Sequence, residues 1–172
     1  MAVIAHQQHQ QADTSTVGHH TVLVATADEQ QRAFVAGQLD ADGQTVYEAD
    51  HAAAVIARLS AHAIDALILG DLEHRADAPG LLRAIRAGQH PHIHPAVAVI
   101  TLGATDELSV LRAYDSGSDH HLPQGSGYLL LRAVLAAVMR RTLQTVTSRR
   151  KASRCASTRC WSRPPTSNSA RL

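Results

Sequence analysis

The side chains that could do chemistry in this chain follow short apolar runs, at the points where strands are predicted to end. These positions are Asp28, Asp71, Thr101 and Gln124. If the strands are parallel, their carboxyl ends meet at one edge of the sheet, so these side chains surround one pocket. Carboxylate oxygens are the ligands that a hard cation such as Mg²⁺ prefers, and a carboxylate can accept a phosphoryl group. Asp28 and Asp71 are the carboxylates expected there, with Glu73 as a third candidate.

Histidine is the second type of potential ligand, because the chain has 12 histidines among 172 residues. Several precede or begin predicted strands, which would place them at the opposite edge of the sheet: His19, His20, His62, His92, His94, His120 and His121. Imidazoles suit Zn²⁺, Ni²⁺ or Cu²⁺. His90, His92 and His94 alternate along a stretch that, if extended, would turn all three to one face. We nevertheless predict no metal site, because solvent-exposed loop histidines that titrate near neutral pH are the alternative interpretation.

Apolar runs alternate with helical periodicity from residue 20 to residue 143. Five short runs predict strands at residues 21–25, 45–48, 66–69, 96–100 and 120–122. Five segments predict helices, one of which spans residues 105–116. The core faces of the other four contain Phe34, Val35, Leu39, Val55, Ile56, Leu59, Leu81, Leu82, Ile85, Leu130, Leu131, Val134, Leu135 and Val138. Asp28 and Asp106 stand at helix starts, where carboxylates are favourable. The pattern predicts an α/β fold, a flavodoxin-like, doubly wound parallel sheet of order 2-1-3-4-5 with helices on both faces.

The two ends of the chain depart from this pattern. Residues 1–19 are rich in Gln, His and Thr, and residues 144–172 lack apolar periodicity, so both are predicted to be disordered around a domain at 20–143. The net charge of +1 conceals an asymmetry, because all 15 acidic residues precede residue 144 and the tail carries only basic charges. Such a tail could attract nucleic acid. Its Cys155 and Cys160 are predicted to be unpaired thiols.

The sequence contains no signal for export or membrane insertion. The N-terminus lacks a basic segment followed by an apolar one, as a secretory signal would have. No apolar run approaches the roughly 18 residues that a membrane span needs. We therefore expect a cytoplasmic protein without a membrane partner.

Four segments resemble the receiver domains of bacterial two-component response regulators. They are residues 22–29 (VLVATADE), 64–72 (IDALILGDL), 95–103 (PAVAVITLG) and 113–125 (AYDSGSDHHLPQG). In order, they are similar to the opening strand with its acidic cluster, the strand that ends in the phosphoacceptor aspartate, the strand that ends in the switch hydroxyl, and the fifth-strand motif. The resemblance extends over residues 21–143 and implies the receiver fold.

Most positions of the family's phosphoryl chemistry hold other residue types here. The acidic pair, the phosphoacceptor, the essential lysine and the switch aromatic correspond to Thr26 and Ala27, Gly70, Gln124 and His121. Only Thr101, at the switch hydroxyl, matches. Because a carboxylate nucleophile and the metal's carboxylate ligands are missing, neither phosphorylation nor a Mg²⁺ cofactor is expected. The alternative phosphoacceptor is Asp71, although a one-residue shift turns it to the other face unless a bulge at Gly70 restores its direction.

The resemblance implies an atypical, non-enzymatic module of bacterial signalling or transcriptional control, which binds a protein partner or dimerises. The family often pairs through its fourth helix, fifth strand and fifth helix, here residues 106–141. Receivers often precede a DNA-binding effector domain, for which 144–172 is too short, so DNA contact is expected only through another domain or the basic tail. This tail is either native or a truncated or frameshifted effector region.

Three alternative functions remain open. They are a phospho-accepting regulator that uses Asp71, a metal-responsive regulator that uses the histidine edge, and an enzyme or ligand-binding flavodoxin-like domain. We do not expect an enzyme, because the strand-end loops lack a glycine-rich phosphate cradle, a nucleophile–base pair and stacking aromatic residues.

Overall fold

The computed structural model describes residues 19–72 and 78–142. The predicted tail with its two cysteines lies outside these ranges, as do Glu73 and all of the predicted leader except His19. All five predicted strands and all five predicted helices have counterparts within the described residues. None of the helices in these ranges is long and apolar enough to span a bilayer.

Five parallel strands form one sheet in the predicted order, β2-β1-β3-β4-β5. They are β1 (Thr21–Ala25), β2 (Thr45–Ala49), β3 (Ala66–Leu69), β4 (Ala98–Gly103) and β5 (His120–Pro123). At the centre of the sheet, Leu69 lies opposite Ala25 on one side and Thr101 on the other. Because the strand order reverses between β1 and β3, a crevice is expected beyond their carboxyl ends.

Helices connect the strands. They are α1 (Glu29–Ala41), α2 (Ala52–Ala61), α3 (Ala78–Arg86), α4 (Glu107–Asp115) and α5, which spans residues 128–142. Carboxylates begin two of them, as predicted: Asp28 accepts the Gln31 N–H, and Asp106 accepts the Ser109 N–H. Gly117 follows α4 with a φ of 97°, the left-handed conformation expected just beyond a helix.

The core has two halves, one on each face of the sheet. The half under α1 and α5 contains Val22, Val24, Val35, Leu39, Ile68, Ile100, Leu131, Leu135, Val138 and Met139. The half under α2 and α3 contains Leu23, Val55, Leu59, Leu67, Leu82, Ile85 and Val99. Successive strand residues enter opposite halves because strand side chains alternate between faces. Each fully buried aliphatic side chain contributes about 1.5 to 3 kcal/mol of hydrophobic stabilisation, which explains how a chain poor in aromatic residues holds this fold.

The core faces of α1 and α5 differ from the prediction at two positions. Phe34 and Leu130, which were predicted to face the core, are 55% and 51% exposed. Ala36 is buried on α1, and Met139 is buried on α5. Both helices therefore present a large apolar side chain to solvent.

The fourth strand begins later and ends later than the predicted 96–100. It starts at Ala98 and continues through Gly103, so Thr101 lies within the strand rather than after it. The preceding residues form a turn, in which the Val97 N–H donates to the His94 carbonyl at 3.0 Å. Val97 is buried beside the sheet and Ala96 is exposed, so the apolar character of these two residues does not extend the strand.

Arg86, at the end of α3, joins three segments at the amino-terminal edge of the sheet. Its guanidinium donates to the carbonyls of Pro95, Val97 and Gly117 at 2.6, 2.7 and 2.8 Å. It also contacts the Asp119 carboxylate at 2.9 Å. A β-carbon at Gly117 would lie 2.7 Å from the Arg86 side chain, so the close approach requires glycine. Arg86 therefore fixes the beginnings of β4 and β5 against α3.

Tyr128, at the start of α5, anchors that helix to the end of α1. Its hydroxyl donates to the Asp42 carboxylate and lies within 3.1 Å of the Gln38 carbonyl. The Arg132 guanidinium contacts the same carboxylate oxygen at 3.1 Å. Burial raises the pKa of Tyr128, and the hydrogen bond to Asp42 raises it further, so the hydroxyl stays protonated and continues to donate.

Candidate functional site

Thr26 and Gly70, which follow β1 and β3, pack against each other at the predicted pocket. Thr26 is 1% exposed, and its N–H donates to the Ala49 carbonyl at 3.1 Å. A β-carbon at Gly70 would lie 3.0 Å from both the Cβ and the Oγ1 of Thr26, which is closer than side chains normally pack. Gly70 does not have a left-handed φ, so the site requires glycine for space. The resemblance implies an acidic side chain at each of these two positions. Here the Thr26 side chain fills the space that a side chain at position 70 would need.

Arg32 of α1 brings a positive charge to the same loop. Its guanidinium donates to the Thr26 carbonyl at 2.6 Å and contacts the Glu48 carboxylate at 3.2 Å. Mg²⁺ needs several oxygen ligands in near-octahedral geometry. Ala27 has no ligand atom in its side chain, and Asp28 is engaged as the cap of α1. The Arg32 guanidinium, bonded to the Thr26 carbonyl, places a positive charge in the same loop. These residues do not fit a Mg²⁺ ion.

The hydrogen-bond ladder between β1 and β3 becomes irregular at the predicted bulge position. The Gly70 N–H donates to the Ala25 carbonyl at 2.8 Å. In a regular parallel ladder the Ala27 N–H would then donate to the Gly70 carbonyl. It donates instead to the Asp71 carbonyl at 2.7 Å, one residue further on. Asp71 is exposed at this irregular point and lines a cavity together with Thr101.

That cavity measures about 290 Å³ and lies beyond the carboxyl ends of β3, β4 and β5, between α3 and α4. It brings together five of the candidate residues: Gly70, Asp71, Thr101, His121 and Gln124. Thr26, Ala27 and Asp28 do not line it. The single predicted pocket is therefore divided into a closely packed part at the end of β1 and an open part beside α4.

The side of the cavity formed by α4 was not predicted from the sequence. Its lining residues are Ser109, Arg112 and Ala113 of the helix and Ser116, which caps the carboxyl end of the helix. Their spacing of three, four and seven residues places them on one helix face, and this periodicity could have identified them. Arg112 adds a cation to the cavity. In the receiver family the corresponding pattern places a lysine at the position of Gln124, which is neutral here.

Thr101 and His121 belong to a chain of hydrogen bonds at the cavity. The Thr101 hydroxyl lies 2.9 Å from Nδ1 of His121, whose Nε2 lies 2.9 Å from the Ala104 carbonyl. Because a carbonyl can only accept, Nε2 carries the proton of the neutral imidazole, and Nδ1 accepts from Thr101. The Ser118 hydroxyl donates to the His120 carbonyl at 2.7 Å, so in this arrangement no hydrogen lies between it and the Thr101 hydroxyl, 3.0 Å away. The bonds to Thr101 and Ala104 hold the residue at the switch-aromatic position against the end of β4.

Two expectations about where the histidines lie are wrong. His121 lines the cavity at the carboxyl-terminal side instead of the opposite edge. The stretch that carries His90, His92 and His94 is not extended, because the Ile93 N–H donates to the His90 carbonyl in a turn, at 3.0 Å. Across residues 19–72 and 78–142, no group of three or more His, Cys, Asp or Glu side chains is arranged to hold a metal ion.

Two carboxylates that follow strands at this edge have lowered pKa values. The hydrogen bond from the His51 ring lowers the pKa of Asp50, and the hydrogen bonds with Ser109 lower the pKa of Asp106. Neither Asp50 nor Asp106 lines the cavity. Their shifts reflect local pairing and helix capping and do not mark a proton-transfer site.

The sequence matches no protein-family profile and no functionally characterised relative. The structure is similar to a Francisella response-regulator receiver domain, with a TM-score of 0.65 and 21% identity over 72% of this chain and 99% of that chain. For a response regulator from Clostridium difficile the values are 0.64 and 20%, over 72% and 98% of the two chains. The receiver domain of a Pseudomonas aeruginosa sensor histidine kinase, which has a magnesium ion coordinated in its active-site cleft, gives 0.62 and 16%, over 71% and 98%. The chain thus has the fold of the response-regulator receiver domains.

Proposed function

We propose that this protein is an atypical receiver-like signalling module that acts by dimerisation, independently of phosphorylation. The observation that carries the proposal is the location of its exposed apolar side chains. In the part of the chain that the structure describes, five of the six large ones lie on α4 and at the start of α5: Leu108, Leu111, Tyr114, Leu129 and Leu130. These five define the α4–α5 surface, which flanks the edge strand β5. Clustered exposed apolar side chains favour an interaction site.

The charges around the α4–α5 surface favour a second copy of this chain as the partner. On α4 the exposed carboxylates of Glu107 and Asp115 outnumber the one cation, Arg112, whereas the exposed Arg140 gives the end of α5 a positive charge. In a two-fold symmetric pair, α4 of one copy can face α5 of the other, so that opposite charges meet around an apolar centre. The family's frequent use of the corresponding segment, residues 106–141, supports the same choice.

Substitution of Leu111 or Leu129 by glutamate is expected to weaken the dimer at least about tenfold, because a charge would be buried among apolar side chains. Sedimentation equilibrium measures the dissociation constant. Phe34→Glu is the matched control, since Phe34 is equally apolar and 55% exposed but lies on α1. A protein that stays monomeric up to about 100 μM, or a Phe34→Glu variant that is affected as strongly, would contradict the proposal.

Independence of phosphorylation rests on the packed part of the pocket. Gly70 has no nucleophile, Thr26 fills the adjacent space, and the Arg32 guanidinium occupies the loop where the family binds its metal. Incubation with acetyl phosphate and Mg²⁺ should therefore leave the intact mass of the protein unchanged.

Asp71 is the basis of a second candidate function, that of a phospho-accepting regulator. It lines the cavity together with Thr101 and Gln124, and the irregular ladder at Gly70 supports this alternative. A stoichiometric phosphoryl adduct that disappears in Asp71→Asn would establish this function and refute independence of phosphorylation. An adduct that persists in Asp71→Asn would place the phosphoryl group on another residue and would contradict both candidates.

We place this module, as a non-enzymatic component without a metal cofactor, in bacterial two-component signalling or transcriptional control. The receiver fold supports this setting, and a cytoplasmic location is consistent with it. Contact with DNA would depend on another domain or on the basic residues 144–172, which lie outside the described ranges.

A further inference from the structure

We infer that the cavity between α3 and α4 binds a small amphoteric molecule, a free aliphatic amino acid, whose carboxylate contacts Arg112 and whose ammonium contacts Asp71. The cavity volume of about 290 Å³ sets the size of the ligand. Small-molecule sites start at about 300 Å³, so a compact metabolite fits and a nucleotide does not.

Apolar side chains from three elements supply the walls for an aliphatic body. Leu69 comes from β3, Leu82 from α3 and Ala113 from α4, while Ala78 lines the same space at the start of α3. A lining that is mostly apolar, with few polar groups, is typical of sites that bind small organic ligands. These apolar walls are all aliphatic, so their shape favours a branched aliphatic ligand.

Arg112 and Asp71 provide the two charges. Both residues are exposed and line the cavity, and within the described residues neither side chain has an ion-pair or hydrogen-bond partner, the bonds of both residues being made by their backbone carbonyls. They also do not pair with each other. A ligand with one carboxylate and one ammonium group satisfies both, and a guanidinium can bind a carboxylate through two parallel hydrogen bonds.

The neutral Gln124 fits this assignment. It lines the cavity with Asp71, and a lysine at this position would compete with the ligand's ammonium group for that carboxylate. Ser109 adds a hydroxyl on the α4 side. Among residues 19–72 and 78–142, the charged lining groups are therefore one arginine and one aspartate, with neutral donors and acceptors beside them.

The test is a titration of isotope-labelled protein, followed by amide NMR shifts, with L-valine, L-leucine or L-isoleucine as the probe. We expect saturable shifts around the cavity with at least one of the three at millimolar concentrations. Isocaproate, which lacks the amino group of leucine, and isoamylamine, which lacks the carboxylate, should each bind at least about tenfold more weakly.

Arg112→Gln and Asp71→Asn should each weaken binding by about tenfold or more. The matched controls Arg58→Gln and Asp40→Asn remove the same charges from exposed positions on α2 and α1 and should leave binding unchanged. The inference is overturned if none of the three amino acids gives saturable shifts up to about 10 mM. It is equally overturned if isocaproate binds as tightly as leucine, or if Arg112→Gln has no effect.

Discussion

Replacement of Arg86 with methionine is expected to lower the free energy of unfolding by about 2 to 4 kcal/mol. The carbonyls of Pro95, Val97 and Gly117 would lose their shared donor, and Asp119 would lose its ion pair. Methionine keeps much of the apolar stem, so the loss comes mainly from the guanidinium. The Arg86 side chain is only 22% exposed, so water cannot replace all four contacts.

Urea denaturation followed by circular dichroism measures this loss. Arg86→Lys should fall between the wild type and methionine, because an ammonium retains the charge but cannot reproduce the planar fork of a guanidinium. The control is Arg140→Met on the exposed side of α5, which should change stability by no more than about 0.5 kcal/mol. If Arg86→Met also stays within that range, water replaces the guanidinium and Arg86 does not hold the three segments together.

Gly70→Ala is the second substitution with a large expected effect, a loss of about 1 to 3 kcal/mol from overpacking. The added methyl would lie 3.0 Å from two atoms of Thr26, which is buried and held by backbone hydrogen bonds on both sides. In a Thr26→Gly background the same change should be neutral or slightly stabilising, because alanine lowers the entropy of the unfolded chain. The two changes should therefore show a coupling energy of about 1 to 3 kcal/mol in a double-mutant cycle.

Gly37 provides the comparison for this cycle. A β-carbon there would meet nothing within 4 Å, and the residue lies inside α1, so Gly37→Ala should stabilise the protein by about 0.5 to 1 kcal/mol. A Gly70→Ala variant as stable as the wild type would show that Thr26 moves aside freely. The explanation of the packed pocket by steric exclusion would then be wrong.

The sheet could be predicted from the sequence because its central strands are buried on both faces. The observed bounds of β1 and β3 coincide with the apolar runs at 21–25 and 66–69. The start of β4 could not be predicted in the same way. The carbonyls of Pro95 and Val97 bond to Arg86, which is remote in sequence, so a tertiary contact overrides the local apolar signal.

The candidate site could be predicted only in part, for a related reason. Residues that follow parallel strands share one edge, and this rule brings Asp71 and Gln124 to one cavity. The contact between Thr26 and Gly70 depends on side-chain volumes in three dimensions, which no periodicity reports. Arg112 could have been found from helical spacing, but only with the knowledge of which face of α4 meets the sheet.

The imidazole of His121 can satisfy its neighbours in two ways. When it is neutral, Nδ1 accepts from the Thr101 hydroxyl. When it is protonated, Nδ1 donates to Thr101, whose own hydroxyl proton then turns towards Ser118, and Ser118 continues to donate to the His120 carbonyl. Every acceptor keeps a donor, and no heavy atom needs to move. A single proton taken up at the cavity would therefore reverse the direction of a hydroxyl dipole beside the nearly buried Ser118, with no change in the shape of the protein.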